Sequence, residues 1–177
     1  TETVYGLGAN ALDAVATKRI YEAKGRPSDN PMIVHVASID MLNGVASGVT
    51  DAQKAIMSKL WPGPITFVLR KNPAVPDVTT GGLDTVAVRW PSRREAAEII
   101  EAAGVPIAAP SANLSGKPSP TTFEDVAEDM DGRIDAIVKG ERTAIGIEST
   151  VLDLTSEVPT ILRPGFITKS QIEEAAC

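Results

Sequence analysis

Helix-like and strand-like segments alternate along the chain, with Gly/Pro breaks between them and several β-rich runs in succession near the C-terminus. The alternation predicts helices layered on a twisted sheet, the α/β class. The consecutive strands predict a mixed sheet, not a purely parallel one. The expected architecture is an open, twisted mixed sheet with flanking helices.

Each element has its own signal. Residues 11–24 (ALDAVATKRIYEAK) place Leu12, Ala16, Ile20 and Ala23 on one helical face, and Gly25 stops the helix. MIVHV (32–36) is a short β-rich run. Thr50-Asp-Ala-Gln53 has capping-box spacing and opens a helix to Leu60. Trp61-Pro-Gly-Pro64 breaks it. ITFVLR (65–70) and TVAVRW (85–90) read as strands. Ser92-Arg-Arg-Glu95 has capping-box spacing again, and its helix stops at Gly104. PIAAP (106–110) reads as a buried strand, and SANLSGKPSP (111–120) as a polar loop. Thr121-Thr-Phe-Glu124 caps a further helix. IDAIV (134–138), STVLDL (149–154) and TILR (160–163) are strand candidates, and Thr168-Lys-Ser-Gln171 caps a last helix.

Composition narrows the function. The 177 residues fit one domain with a sizeable core. Lys and Arg number 17 against 23 Asp and Glu, a net charge of −6. That balance argues against a surface that grips nucleic acid through its phosphates, and leaves room for a local basic pocket. Tyr5, Tyr21, Trp61, Phe67, Trp90, Phe123 and Phe166 are too scattered for a base-stacking platform. No run approaches the roughly 18 apolar residues of a membrane span. No basic region precedes an apolar one as in a signal peptide, so a cytoplasmic compartment is expected. The one cysteine, Cys177, is the last residue, which excludes a disulfide framework and a cysteine-based metal site.

Five clusters could carry chemistry. Lys24-Gly-Arg-Pro27 pairs a mobile point charge with a planar guanidinium fork, a set suited to phosphate. Cations at a helix C-terminus also favour its dipole, so spacing alone leaves both readings open. Ser28-Asp-Asn-Pro31 beside it is turn chemistry. His35 is the only histidine. By alternation it shares a face with Ile33, opposite Met32, Val34 and Val36, and without a second histidine at ligand spacing it reads as structural. Pro110-Ser-Ala-Asn113 follows a small apolar strand, where ligands of α/β sheets bind, although polar turns are common there. Gly146-Ile-Glu-Ser-Thr150 suits close backbone approach, or simply strand entry. Arg163-Pro-Gly165 and Arg89 put cations at strand ends.

Several classes drop out. The chain has no P-loop and no GxGxxG fingerprint. His35 sits in no GxSxG context, and Cys177 is terminal, so neither a serine nor a thiolate nucleophile is supported. The remaining Arg, Lys, Ser, Thr and Asn suit binding and polarising a polyanion better than covalent catalysis.

Thr1-Glu-Thr-Val-Tyr-Gly-Leu-Gly8, Ala23-Lys-Gly-Arg-Pro27, Asn30-Pro-Met-Ile-Val-His35 and Leu60-Trp-Pro-Gly-Pro-Ile-Thr66 resemble the YrdC-like family. Val86-Ala-Val-Arg89, Ala109-Pro-Ser-Ala-Asn113, Glu148-Ser-Thr150 and Leu162-Arg-Pro-Gly165 continue the match in order. The whole set spans about residues 1–165 and is similar to the threonylcarbamoyl-adenylate synthase branch.

The resemblance implies a fold with a deep basic cavity and a reaction. L-threonine, bicarbonate (or CO2) and ATP, with Mg²⁺, give threonylcarbamoyl-AMP and pyrophosphate. A separate transferase complex then moves the threonylcarbamoyl group to an adenosine of tRNA. Thr3, His35, Arg89, Ala109 and Ser149 match positions that hold threonine. Lys24, Arg26, Asn30, Thr85, Ser111, Asn113, Ser119 and Arg163 match the nucleotide side, with Lys24 and Arg26 as the catalytic cations. No separate protein metal site, no membrane contact and no strong direct nucleic-acid binding are expected. Residues 1–177 are expected to form one YrdC-like domain lacking an N-terminal strand and helix, and some members carry a further C-terminal domain. Two rivals remain at this point: an RNA-binding YrdC-like module and a carbamoyltransferase accessory module.

Overall fold

The computed structural model describes residues 1–176; Cys177 and the readings placed on it lie outside the described residues. Its seven strands are β1 (Ala9–Asn10), β2 (Ile33–His35), β3 (Ile65–Arg70), β4 (Thr85–Arg89), β5 (Ile107–Ala108), β6 (Thr150–Asp153) and β7 (Thr160–Arg163). They form one sheet in the order β1-β5-β2-β4-β3-β6-β7. The β2–β4 and β3–β6 pairs are parallel and the others antiparallel, the mixed sheet that the succession of short runs predicts. Among the described residues seven helices accompany it: α1 (Ala14–Lys24), α2 (Ile39–Val45), α3 (Asp51–Leu60), α4 (Asp77–Thr80), α5 (Arg94–Ala103), α6 (Phe123–Met130) and α7 (Lys169–Ala176). No described helix is long and apolar enough to cross a membrane.

The register places one row of residues across the sheet. Ile107 pairs with His35, His35 with Arg89, Arg89 with Thr66, Thr66 with Val151 and Val151 with Arg163. Paired residues share a face, because side chains alternate along each strand. The opposite alternation of β2 buries Met32, Val34 and Val36 in the core with Phe67, Leu69, Val86 and Val88. Trp61 meets Phe67 edge-on, with centroids 5.0 Å apart, and fixes the turn before β3.

The structure corrects several local expectations. The first helix begins at Ala14, capped by Asp13, and buries Thr17, Ile20, Tyr21 and Lys24. The apolar-face reading misses this stripe because three of the four are polar and each finds a partner. The Tyr21 hydroxyl, for example, donates to Val78 O at 2.9 Å. The Thr50–Gln53 box forms as expected. The Ser92–Glu95 box does not: α5 has no side-chain cap, and Glu95 is held by both Nε and Nη2 of Arg93 at 3.1 Å. The next box slips by one residue, to Thr122 and Asp125. Residues 134–138 form no strand, since no strand edge pairs with them and β-propensity acts only with a partner. The strand in 106–110 is only two residues long, and β1, α2 and α4 carry no signal noted in the sequence.

The loop after β7 folds back against the entry to β6. A Cβ on Gly165 would lie 2.5 Å from Thr150 N, 2.6 Å from Glu148 O and 2.7 Å from Ser149 C, all of them backbone. Backbone cannot swing aside as a side-chain tip can. Gly165→Ala is expected to cost about 1–3 kcal/mol, read as a lower urea midpoint; an unchanged midpoint would show that this contact yields freely.

Candidate functional site

A cavity of about 370 Å³ opens over the register row. Four of the row's six members, His35, Arg89, Val151 and Arg163, line it. The N-terminal run adds Thr3, the turn after α1 adds Arg26 and Asn30, β4 adds Thr85, and the segment after β5 adds Ala109 and Ser111. Glu148 and Ser149 enter from the approach to β6. Ten of the thirteen residues expected at the site therefore meet in one cavity, from seven parts of the chain. Lys24, Asn113 and Ser119 do not line it.

Arg89 is the most constrained cation. It is 4% exposed. Its Nη1 donates to Thr3 Oγ1 at 2.8 Å, its Nε to Gly63 O at 3.3 Å, and its Nη2 lies 2.6 Å from Glu2 Oε1. Burial pushes the Glu2 carboxyl up, yet attraction to Arg89 outweighs this and holds it below the usual carboxylate range. Arg163 donates from Nε and Nη2 to Ser149 O at 3.2 and 2.8 Å, and from Nη2 to Ser149 Oγ at 3.2 Å. Arg26 donates to Pro31 O at 3.0 Å and Asn30 O at 3.3 Å, which holds the turn that presents it. Ala109 contributes backbone, and its N–H is already given to Ile33 O at 2.9 Å.

Lys24 works from behind the cavity wall. It is 3% exposed. Its Nζ donates to Ser111 O, to Asn113 O at 2.6 Å and to Asn113 Oδ1 at 3.5 Å. Burial first, then repulsion from Arg26, lowers its pKa to about 8, against the pull of Asp129. Asn113 spends its amide on Leu114 O and Lys117 O, both at 2.8 Å. Ser119 donates to Glu148 Oε1 at 2.6 Å and so reaches the cavity through that carboxylate.

Sequence reasoning passed over Glu2 and Glu148 as site residues. Both stand inside motifs singled out for other members. No spacing rule shows that Glu2 faces a cation far along the chain. A second cavity of about 810 Å³ shares Thr1, Gly6, His35 and Ala109 with the first and continues along α1, α5 and residues 133–141. It is larger, but Arg26, Arg89 and Arg163 do not line it. The chemistry therefore points to the smaller one.

The family model described as "Telomere recombination", Sua5/YciO/YrdC, matches residues 1–165. This chain belongs to that family. A threonylcarbamoyl-AMP synthase of Pyrococcus abyssi is 56% identical over 174 residues, 98% of this chain and 51% of the relative. One from Bacillus subtilis is also 56% identical, over 98% of this chain and 50% of its own. The chain thus spans about half the length of these curated relatives. The crystal structure of P. abyssi Sua5 complexed with L-threonine superposes with a TM-score of 0.96 at 55% identity, covering 99% of this chain and 52% of that one. Escherichia coli YciO superposes at 0.80 with 25% identity, covering 92% of this chain and 79% of its own. The Sua5/YciO/YrdC fold is therefore the one the residues form here.

His35 yields a pH prediction. It is 5% exposed and its Nδ1 has no partner. Burial, then the Arg89 charge, lowers its pKa from 6.5 to about 3. The unfolded chain then binds a proton between these values that the folded chain does not. Stability is complete above about pH 6.5 and falls as pH drops toward 3. Glu2 adds loss in the same direction once it is protonated. Between pH 7 and 4.5 the His35 share is about 2–3 kcal/mol. Urea unfolding at both pH values is expected to show a smaller acid loss in His35→Asn than in the wild type; equal losses would exclude a neutral buried imidazole.

Proposed function

We propose that this chain makes L-threonylcarbamoyl-AMP and pyrophosphate from L-threonine, bicarbonate or CO2, and ATP. The carrying observation is the convergence of Arg26, Arg89, Arg163, His35, Thr3 and Ser149 on one cavity in a chain 56% identical to threonylcarbamoyl-AMP synthases. A relative's structure named as a complex with L-threonine supports the amino-acid half of this reading. By the family resemblance, the product would pass to a separate transferase that modifies tRNA.

The amino acid takes the β4–β6 side. Its carboxylate pairs with Arg89, whose remaining N–H groups offer the planar fork a carboxylate fits. Thr3, Ser149 and the Ala109 backbone flank it. Neutral His35 offers a lone pair or an N–H without adding charge. The nucleotide takes the side of Arg26, Asn30, Thr85, Ser111 and Arg163. Lys24 holds the Ser111–Asn113 turn and contributes its charge through the wall, and Ser119 acts through Glu148.

The chemistry follows from these positions. The threonine nitrogen bonds to the carbon of CO2 and loses a proton, giving a carbamate. A carbamate oxygen attacks the α-phosphorus, and the bond to pyrophosphate breaks with its electron pair leaving on oxygen. Arg26 and Arg163 offset the charge on the phosphoryl oxygens. No enzyme nucleophile takes part. Exclusion of water protects the carbamate and the mixed anhydride.

Mg²⁺ fits as part of the ATP. Among the described residues no group of three His, Cys, Asp or Glu stands ready for a metal. The lining carries one carboxylate, Glu148. Mg²⁺ commonly keeps waters and binds through one or two carboxylates plus substrate phosphates. Glu148 would be its protein ligand, and the ion would neutralise phosphate charge.

The deciding measurement is pyrophosphate release, expected only when L-threonine, bicarbonate and ATP are all present. Release without threonine, or none with all three by a folded protein, would overturn the reading. Arg26→Ala is expected to lose about a hundredfold in kcat, and full activity in that variant would remove Arg26 from the phosphoryl site.

A further inference from the structure

The row beneath the cavity holds one side-chain hydroxyl, that of Thr66. Thr66 lies in β3 between Arg89 of β4 and Val151 of β6. It is completely buried and does not line the cavity. Its hydroxyl meets that of Ser149 at 2.7 Å, its one side-chain hydrogen bond among the described residues. Valine would fill this core position with no polar group to satisfy, so the hydroxyl calls for a reason.

Everything about Ser149 is fixed except the direction of its O–H. Arg163 grips its carbonyl oxygen twice, at 3.2 and 2.8 Å. The next residue, Thr150, donates its N–H to Pro64 O at 3.1 Å. A hydroxyl has one proton and two lone pairs. Arg163 Nη2 already donates to Ser149 Oγ at 3.2 Å and uses one lone pair. If Thr66 donates into the other, the Ser149 proton is left for an acceptor in the cavity. If Ser149 spends its proton on Thr66, it has only a lone pair to offer.

We propose that Thr66 is a positioning residue for substrate binding. It donates to Ser149 and leaves the Ser149 O–H directed at an oxygen of the amino-acid substrate. Arg163 and Thr66 together polarise that O–H as a donor. Thr66 touches no ligand itself. The assignment rests on the reading of Ser149 as part of the threonine side.

Calorimetry of the chain with L-threonine and, separately, with a non-hydrolysable ATP analogue tests it in the wild type, Thr66→Val and Thr66→Ser. Thr66→Val is expected to weaken L-threonine binding about five- to tenfold and to leave the analogue within about twofold. Thr66→Ser is expected to restore threonine binding, since it keeps the hydroxyl. A merely structural threonine would move both ligands together. Wild-type threonine affinity in a folded Thr66→Val protein, equal losses for both ligands, or no rescue by serine would overturn the assignment alone. A wild-type chain that binds no threonine would instead overturn the proposed function, and this assignment with it. If circular dichroism shows Thr66→Val unfolded, Thr66→Ala is read by the same criteria.

Discussion

A guanidinium taken out of water has to be paired, and the site is arranged around that requirement at Arg89. An unpaired buried charge costs several kcal/mol, and breaking such a pair from one side costs about 3–5 kcal/mol. Here three partners come from two places: Glu2 and Thr3 from the N-terminal run, and Gly63 O from the turn before β3. Satisfying one side chain therefore ties the N-terminal run, that turn and the end of β4 together. Two of these segments, the N-terminal run and β4, line the cavity. The cost of desolvating Arg89 is met during folding. A ligand carboxylate then finds a fork already in place, the preorganisation on which binding and charge stabilisation both depend.

Lys24 repeats the principle without a carboxylate in contact. Its buried ammonium is satisfied by the oxygens of Ser111 and Asn113. Asp129 grips the other side of that loop, accepting the Leu114 N–H at 3.0 Å and pairing with Lys117. The loop is thus held from α1 and from α6 at once. Carbonyls stabilise a cation less than a carboxylate does, and Arg26 stands near. Burial first, and then the Arg26 charge, therefore make Lys24 give up its proton more readily than an exposed lysine. The cation also keeps a positive potential behind Ser111 while its hydrogen bonds shape the turn, so positioning and electrostatics are one function of one group.

What could be read in the chain, and what could not, divides by the range of the interaction. ITFVLR and TVAVR signal strands locally and form them, and the Thr50 and Thr168 boxes close within three residues. IDAIV carries the same local signal and forms no strand, because a strand exists only where an edge accepts it. Ten of the expected site residues reach one cavity because their ordered motifs carried a family's site with them. Position-by-position chemistry left most of them undecided. The contacts that hold the site stayed hidden: Thr66 meets Ser149 across 83 residues and Arg89 meets Thr3 across 86. No periodicity encodes such pairs. The first follows from sheet order, which places β6 beside β3, and the second from the path of the N-terminal run past the end of β4.

The sheet order also explains how an acidic chain can hold a site for anions. The whole sequence carries −6, while the cavity lining has three arginines against one glutamate. Fields focus in a cleft with low-dielectric walls, and exposed charges are screened beyond a Debye length of about 8–10 Å. A small anion inside about 370 Å³ therefore feels Arg26, Arg89 and Arg163 and little of the outer acidic surface. An extended polyanion lying across the outside would meet that surface over many residues and gain only a few counterion releases. The same charge distribution thus favours a small anion inside the cavity over an extended polyanion outside it.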